Sequence, residues 1–191
     1  MKDCMTLLDS GIALVLLAAG RSERFGGDKL LAEYKGKPLW TWAAMAAEEA
    51  GFQDLYIVNS PRTSIEPGDR WKPLVNADAD RGMGTSIAAG VAAAKASQRI
   101  VITLGDMPMV APTHLRALAE RTGPVFTRQP DGNAGCPAAF GRESFDQLRQ
   151  LGGDRGARIL ANPDAVMMEP ASTGMLVDID YKSDLAAKGS R

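Results

Sequence analysis

Eight consecutive apolar residues, Ile12 to Ala19, run without a polar interruption and stop at Gly20. Such a run suits a strand covered by helices on both faces of a parallel sheet better than a half-exposed strand, in which apolar residues would alternate. After Pro38, residues Leu39, Trp42, Ala43, Met45 and Ala46 fall at helical spacings, predicting a helix over Leu39–Ala50 that Gly51 ends. Leu55–Val58 is a second apolar strand, and the order strand, loop, helix, strand opens a right-handed parallel α/β fold. Asn59–Trp71 reads as a loop, with Pro61 and Pro67 inside it, and Pro73–Val75 as a short third strand. An alanine-rich helix then runs to about Ala96, with Thr85 or Ser86 as candidate caps and an amide-bearing end suited to an anion. The pattern continues with a strand at Arg99–Leu104, a helix at Pro112–Arg121, a strand at Val125–Thr127 and a turn over residues 131–140 that enters another strand. A helix at Glu143–Leu151 and a closing or edge strand at Met175–Ile179 complete it, and the last six residues, AAKGSR, read as frayed.

Chemistry concentrates where these strands end. Between Gly20 and Lys29 stand three glycines (Gly20, Gly26, Gly27) and three cations (Arg21, Arg24, Lys29), so backbone can approach a ligand while side chains meet negative charge. Phosphate binding is the reading this composition favours over a solvated turn. A Walker A loop is excluded because Lys29 is followed by Leu30 rather than a hydroxyl residue, and Gly20-Arg21-Ser22 does not begin a dinucleotide-binding fingerprint. Asp106 follows the strand Arg99–Leu104, on the sheet edge where the loop after Leu17 also emerges, and open α/β sheets bind ligands at that edge. It is a candidate magnesium ligand, with capping of the helix near Pro112 as the alternative. Further on, Arg155 and Arg158 could meet a phosphate or be merely solvated, and Asp154 could cap the turn after it. His114, the single histidine, has no ligand cluster about it and is assigned no chemistry; Cys136 has no histidine base and is not read as a nucleophile.

Composition narrows the classes. Over 191 residues, one compact domain is expected; 22 Lys and Arg against 23 Asp and Glu leave a formal charge of −1, so nothing global attracts nucleic acid. Cys4 and Cys136 are too few for a disulfide framework and fit a reducing compartment. MKDCMTLLDSG lacks the apolar core of a leader, and Ile12–Ala19 is too short to span a bilayer, so a soluble, cytoplasmic protein with no membrane partner is expected.

The segment Leu17–Leu31, LAAGRSERFGGDKLL, resembles the signature loop of sugar-nucleotide and cofactor nucleotidyltransferases, specifically the molybdenum cofactor cytidylyltransferase branch. Gly105-Asp106-Met107-Pro108 resembles that family's second signature, and Gly152–Arg158 and Asp178–Leu185 resemble two later elements, so the likeness covers about residues 12–186. It implies a three-layer, Rossmann-like α/β fold of the nucleotide-diphospho-sugar transferase type, with a central, mostly parallel mixed sheet, and a single domain over 1–191 with a nucleotide-binding half at about 12–110 and an acceptor half at about 111–186. It implies that Leu17, Ala18, Ala19, Gly20, Arg21, Arg24 and Lys29 hold the triphosphate, that Asn76, Gly82, Met83 and Ser86 close over base and ribose, and that Asp154 and Arg158 lie at the acceptor pocket. Arg21, Lys29 and Asp106 would be catalytic; Asp106, with Asp180 and Asp178 behind it, would hold Mg2+, a capping role for the late aspartates remaining open. The implied reaction is Mg-dependent transfer of CMP from CTP to the terminal phosphate of molybdopterin, with a molybdoenzyme or its chaperone receiving the product. Ala19 carries the base assignment, because the guanylyltransferase branch has Gly at that place. GTP-dependent transfer is the nearest rival, followed by transfer to another phosphorylated small molecule and by a non-catalytic cofactor chaperone. Two departures stand out: Gly135-Cys136-Pro137 lacks the family's Asn or His, and Tyr181-Lys182 replaces Thr-Pro.

Overall fold

The computed structural model describes residues 7–63, 65–162 and 165–187. Cys4 and the last four residues of the expected frayed end lie outside the described residues. Strand β1 (Ile12–Ala18) is an interior strand, third in the order of a seven-stranded sheet, and shows why its run is unbroken. Leu14, Leu16 and Ala18 enter one core layer and Ala13, Val15 and Leu17 the other, so both faces of the strand are buried.

Beside β1 lie β4 (Asp54–Asn59) and, beyond it, β5 (Trp71–Val75); on its other side lies β6 (Arg99–Leu104), all four strands parallel. The sheet continues through β8 (Ala134–Gly141), β7 (Val125–Arg128) and β9 (Val166–Met168). Only β8 runs against the rest, pairing antiparallel with β6 and β7. A short hairpin, β2 (Glu33–Tyr34) with β3 (Lys37–Pro38), stands apart. Helices α1 (Leu39–Glu49) and α3 (Pro112–Ala119) pack together on one face, and α2 (Met83–Ala93) with α4 (Phe145–Arg149) on the other. The expected three-layer, Rossmann-like architecture with a mostly parallel mixed sheet is therefore present.

Several element expectations are corrected. Met175–Ile179 is not a strand: Thr173–Leu176 is a 3-10 turn, and Ile179 alone anchors the following extended segment, fully buried with its amide donating to the Asp106 carbonyl at 3.1 Å. The edge position belongs instead to β9, whose three residues pair in parallel with β7. Helix α2 ends at Ala93 rather than near Ala96, and neither Thr85 nor Ser86 caps it. A terminal helix, α5 (Lys182–Ala187), follows residues for which no helix was expected. No described helix is long and apolar enough to cross a membrane.

Candidate active site

The chain leaves β1 toward β4 on one side and returns as β6 on the other, so the carboxyl ends of β1 and β6 border the crevice where open α/β sheets take ligands. A cleft of about 430 Å³ lies there. Its walls come from the loop after β1 (Ala19, Gly20, Arg21, Arg24), from Lys29, from Asp106 after β6, from Gly82, Met83 and Ser86 at the start of α2, and from Asp154 and Asp180. Leu17, at the base of the cleft, also lines it. The loop is held in shape by Ser22, which sits in the left-handed region (φ +53°), its carbonyl accepting from the amides of Phe25 and Gly26.

Lys29 is the centre of the charge pattern. It begins a 3-10 turn, Lys29–Leu31, whose Leu30 is buried in the core against Gly105. That anchoring draws Lys29 inward, and its side chain is only 10% exposed. Nζ donates to Asp106 Oδ2 at 2.8 Å and to Asp180 Oδ1 at 3.1 Å. Burial by itself lowers the ammonium pKa, but the charges and hydrogen bonds of Asp106 and Asp180 outweigh it and hold the group above its ordinary value of 10.5. Arg24 Nη1 meets Asp180 Oδ2 at 3.4 Å from a mostly exposed position, and Arg21 is paired at the rim with Glu23 (3.2 Å) and Asp80 (3.8 Å). Asp178 stands beside this group; partial desolvation of its carboxyl, and then the charges of Asp180 and Asp106, raise its pKa above 3.8.

The α2 side of the cleft depends on glycine. Gly82 has φ +111° and ψ 171°, backbone space open essentially to glycine alone. A Cβ there would lie 2.3 Å from the carbonyl carbon of Gly153. One at Gly84 would lie 2.8 Å from the Arg155 carbonyl oxygen. This close approach lets the Gly84 amide donate to Gly153 at 2.9 Å and places Asp154 in the cleft wall. It also occupies an amide at the α2 start that was expected to face an anion.

Other expected site residues stand elsewhere. Ala18 is 1% exposed and faces the core. Asn76 is buried behind the cleft, its Nδ2 donating to Thr85 Oγ1 (2.9 Å) and Ser86 Oγ (3.0 Å), so it supports the α2 start from beneath. Arg158 lines a separate open cleft of about 670 Å³ with Arg155, and Asp154 stands in the wall common to both clefts. Asp154 makes no cap: the 3-10 turn Ala157–Leu160 has Gly156 at its cap position and no side-chain bond there. Among the late aspartates it is Asp184 that caps, its Oδ2 accepting from the amides of Asp180 and Tyr181, each at 3.0 Å. Burial and the charge of Asp106 push the Cys136 thiol up to about 12, which leaves it protonated and unsuited to nucleophilic attack. Sequence reasoning missed Ser22, Glu23, Ala79 and Asp80; the polar run Arg21–Arg24 was the available signal for the first two.

The magnesium expectation is corrected by this geometry. Among the described residues no group of three or more His, Cys, Asp or Glu side chains is placed to hold a metal ion. Of the two proposed ligands, both carboxylates are taken by one ammonium, and only Asp106 Oδ1 is a buried oxygen without a partner among the described residues. The carboxylates expected to hold the ion are thus engaged with Lys29, and no cluster among the described residues supports the expected Mg2+.

Comparison with known proteins places this geometry in a family. Residues 14–167 match the MobA-like NTP transferase domain. Purine catabolism protein PucB of Bacillus subtilis (strain 168) is 30% identical over 184 residues, covering 87% of this chain and 90% of that protein. A probable molybdenum cofactor guanylyltransferase of Thermococcus kodakarensis is 32% identical, covering 56% of this chain and 51% of that one. A molybdenum cofactor guanylyltransferase of Ectopseudomonas mendocina is 34% identical, with 62% and 60% covered. Among solved structures, a nucleotidyl transferase from Methanothermobacter thermautotroptrophicus superposes with a TM-score of 0.80 at 25% identity, over 93% of this chain and 95% of that one. The two guanylyltransferase relatives overturn the expected CTP donor. That expectation rested on Ala19 standing where the guanylyltransferase branch has Gly; Ala19 is 7% exposed and lines both of two adjoining open clefts. A fold, a phosphate-suited loop and a buried lysine at the sheet's switch point agree with these likenesses: the chain belongs to the MobA-like NTP transferase family and is an enzyme of nucleotidyltransferase type.

Proposed function

We propose that this chain transfers the nucleotidyl group of GTP to the terminal phosphate of molybdopterin and releases pyrophosphate. The observation that carries the reading is the cleft at the β1/β6 edge, where the Gly20–Lys29 loop and a buried, doubly paired lysine converge. The names of two relatives, both molybdenum cofactor guanylyltransferases, support the donor and the acceptor.

In this reading an acceptor phosphate oxygen forms a bond to the α-phosphorus as the α–β bridging P–O bond breaks, and the electron pair departs on pyrophosphate. The acceptor oxygen is already anionic, so no side chain serves as base. The task of the protein is to position the reactants and to neutralise developing charge. Arg21, Arg24 and Lys29, with the amides of the glycine-rich loop, meet the β- and γ-phosphates. Gly82, Met83 and Ser86 form the wall against base and ribose, and Met83, 43% exposed, offers an apolar contact there. Asp154 and Arg158, from the acceptor half at about 111–186, face the incoming molybdopterin phosphate across the wall common to the two clefts.

The test is to incubate purified chain with molybdopterin and each of the four nucleoside triphosphates, with and without Mg2+, and to measure pyrophosphate and dinucleotide. GTP is expected to give the highest kcat/KM. Turnover confined to another nucleotide would overturn the donor, and no turnover with any would favour a cofactor-carrying role over an enzyme.

A further inference from the structure

The glycine-rich loop has a cleft on each side of it. Residues 19–23 line the cleft at the β1/β6 edge and also a second, smaller one of about 300 Å³, which Ser60, Arg62, Thr63 and Asp80 complete. Of these two clefts, Arg62 and Asp80 line only the second, Lys29 and Arg24 only the first, and Arg21 alone among the loop cations lines both. Asp80 stands in the 3-10 turn Ala79–Arg81, just before α2, and its two carboxylate oxygens serve two arginines. Oδ2 accepts from Arg62 Nη2, whereas Oδ1 lies 3.8 Å from Arg21 Nε, close enough for charge attraction but too far for a hydrogen bond. Arg21 Nη1 donates to Glu23 Oε1 at 3.2 Å. The side chains of Arg21, Arg62 and Asp80 are 48%, 71% and 54% exposed, so these pairs are screened and exchange at little cost. A Cβ at Gly20 or Gly27 would meet no packed atom within 4 Å, which leaves Arg21 room to swing between the clefts.

We propose that Asp80 is a competing counter-ion for Arg21: it holds the guanidinium on the second-cleft side of the loop in the free chain, yields it to an entering polyphosphate, and takes it back as pyrophosphate leaves. Arg62 positions Asp80 for that exchange and neutralises it in part, which keeps its hold on Arg21 weak enough to release. Lys29 cannot play the exchanging role, because its partners hold it in a largely buried position. The competition bears most on the product. GTP is held through base and ribose as well as phosphates, whereas pyrophosphate is held through phosphates alone, so a carboxylate that competes for Arg21 takes a larger share of its binding. The part Asp80 plays in turnover rests on the proposed nucleotidyl transfer; its competition for Arg21 does not.

The test is calorimetric titration of the purified chain with inorganic pyrophosphate at fixed, low ionic strength. Asp80→Asn is expected to bind it about 2- to 5-fold more tightly than the wild type, the worth of one exposed ion pair, with the gain shrinking as salt is added. Most of that gain should vanish in the Arg21→Gln background. Asp78→Asn, which removes a neighbouring exposed carboxylate paired with Arg81, should not reproduce it. Arg62→Gln is expected to weaken binding in the wild type and to have little effect alongside Asp80→Asn. No gain in Asp80→Asn would overturn the proposal, and so would a gain that persists without Arg21 or is matched by Asp78→Asn, since that is the effect of net charge alone. Weakening by Arg62→Gln that is undiminished alongside Asp80→Asn would put Arg62 on the ligand itself and overturn its positioning role. In turnover, Asp80→Asn is expected to lower the KM of GTP and the inhibition constant of pyrophosphate together, without raising kcat. A wild type inactive with every nucleotide would defeat the proposed function and leave the pyrophosphate titrations readable.

Discussion

Gly82 shows how a single residue shapes this cleft. Its φ of +111° and ψ of 171° cost a side-chain-bearing residue about 1–3 kcal/mol even in open space. The space is not open, because a Cβ would stand 2.3 Å from the Gly153 carbonyl carbon and 2.6 Å from the Asp154 nitrogen. These are backbone atoms, which cannot rotate away. Gly82→Ala must therefore push residues 152–156 off the start of α2, breaking the Gly84–Gly153 hydrogen bond and withdrawing Asp154 from the cleft wall. The expected outcome is a loss of at least about 1–3 kcal/mol in urea unfolding, accompanied by weaker GTP binding in calorimetry. Stability lost with binding unchanged would show that the glycine contact does not shape the site. The sequence marked Gly82 as a site position, but not why glycine is required, since its neighbour across the contact lies 71 residues later.

At the level of elements, legibility followed length and periodicity. β1, β4, β6, α1 and α3 are long apolar or amphipathic segments whose patterns name their type. The hairpin β2/β3 has two residues per strand and β9 three, too few to carry a period, and β9 exists only because β7 offers it an edge. The strand expected at Met175–Ile179 fails for the converse reason: its apolar residues anchor a turn and a single buried side chain rather than a ladder. For the site, Gly20–Lys29 and Asp106 were visible as loop composition and strand-end position. The bridge from Lys29 to both carboxylates was not, because chain distance conceals which side chains meet. Helix α2 illustrates the same limit in packing. Gly90 would normally be disfavoured there by about 1 kcal/mol relative to alanine. A Cβ at that position, however, would meet Val15 Cγ1 at 2.4 Å and Val58 Cγ2 at 3.3 Å, both on fully buried, stiff side chains. Overpacking of this kind costs about 1–3 kcal/mol, so it equals or exceeds the propensity gain. Gly90→Ala is expected to destabilise the protein, and Val15→Ala to be less harmful in the Gly90→Ala background than alone. Additive effects in that double-mutant cycle would deny the direct contact.

For the whole molecule, the groups displaced from their ordinary pKa values set the pH range of stability, and His114 is placed to govern its acid side. It is 7% exposed, and its Nε2 lies 2.8 Å from Thr127 Oγ1. The Thr127 hydroxyl donates to the Pro137 carbonyl at 2.6 Å, so Oγ1 accepts from the imidazole and Nε2 carries the proton of a neutral ring. Burial lowers the His114 pKa below 6.5, and the unfolded chain therefore takes up a proton more readily than the folded one. The associated stability is fully present above 6.5 and declines as pH falls through the interval between that value and the depressed folded pKa. Asp178 works in the opposite sense: its raised folded pKa means that protonating it favours the folded state, which offsets part of the loss at still lower pH. On the alkaline side Tyr34 and Tyr56 are raised above 10.0 by burial, and Lys29 is raised above 10.5 by its carboxylates, so stability is lost as pH rises past those values. A thermal melt followed from about pH 8 to about pH 5 should show Tm falling once pH drops below 6.5. His114→Gln, which retains an amide donor near Thr127 but cannot titrate, is expected to have a lower Tm at neutral pH and a flatter dependence below it. An undiminished slope in that variant would remove His114 as the source of the acid sensitivity. Asp178→Asn, followed to lower pH, should steepen the fall, because it removes a group whose protonation favours the folded state.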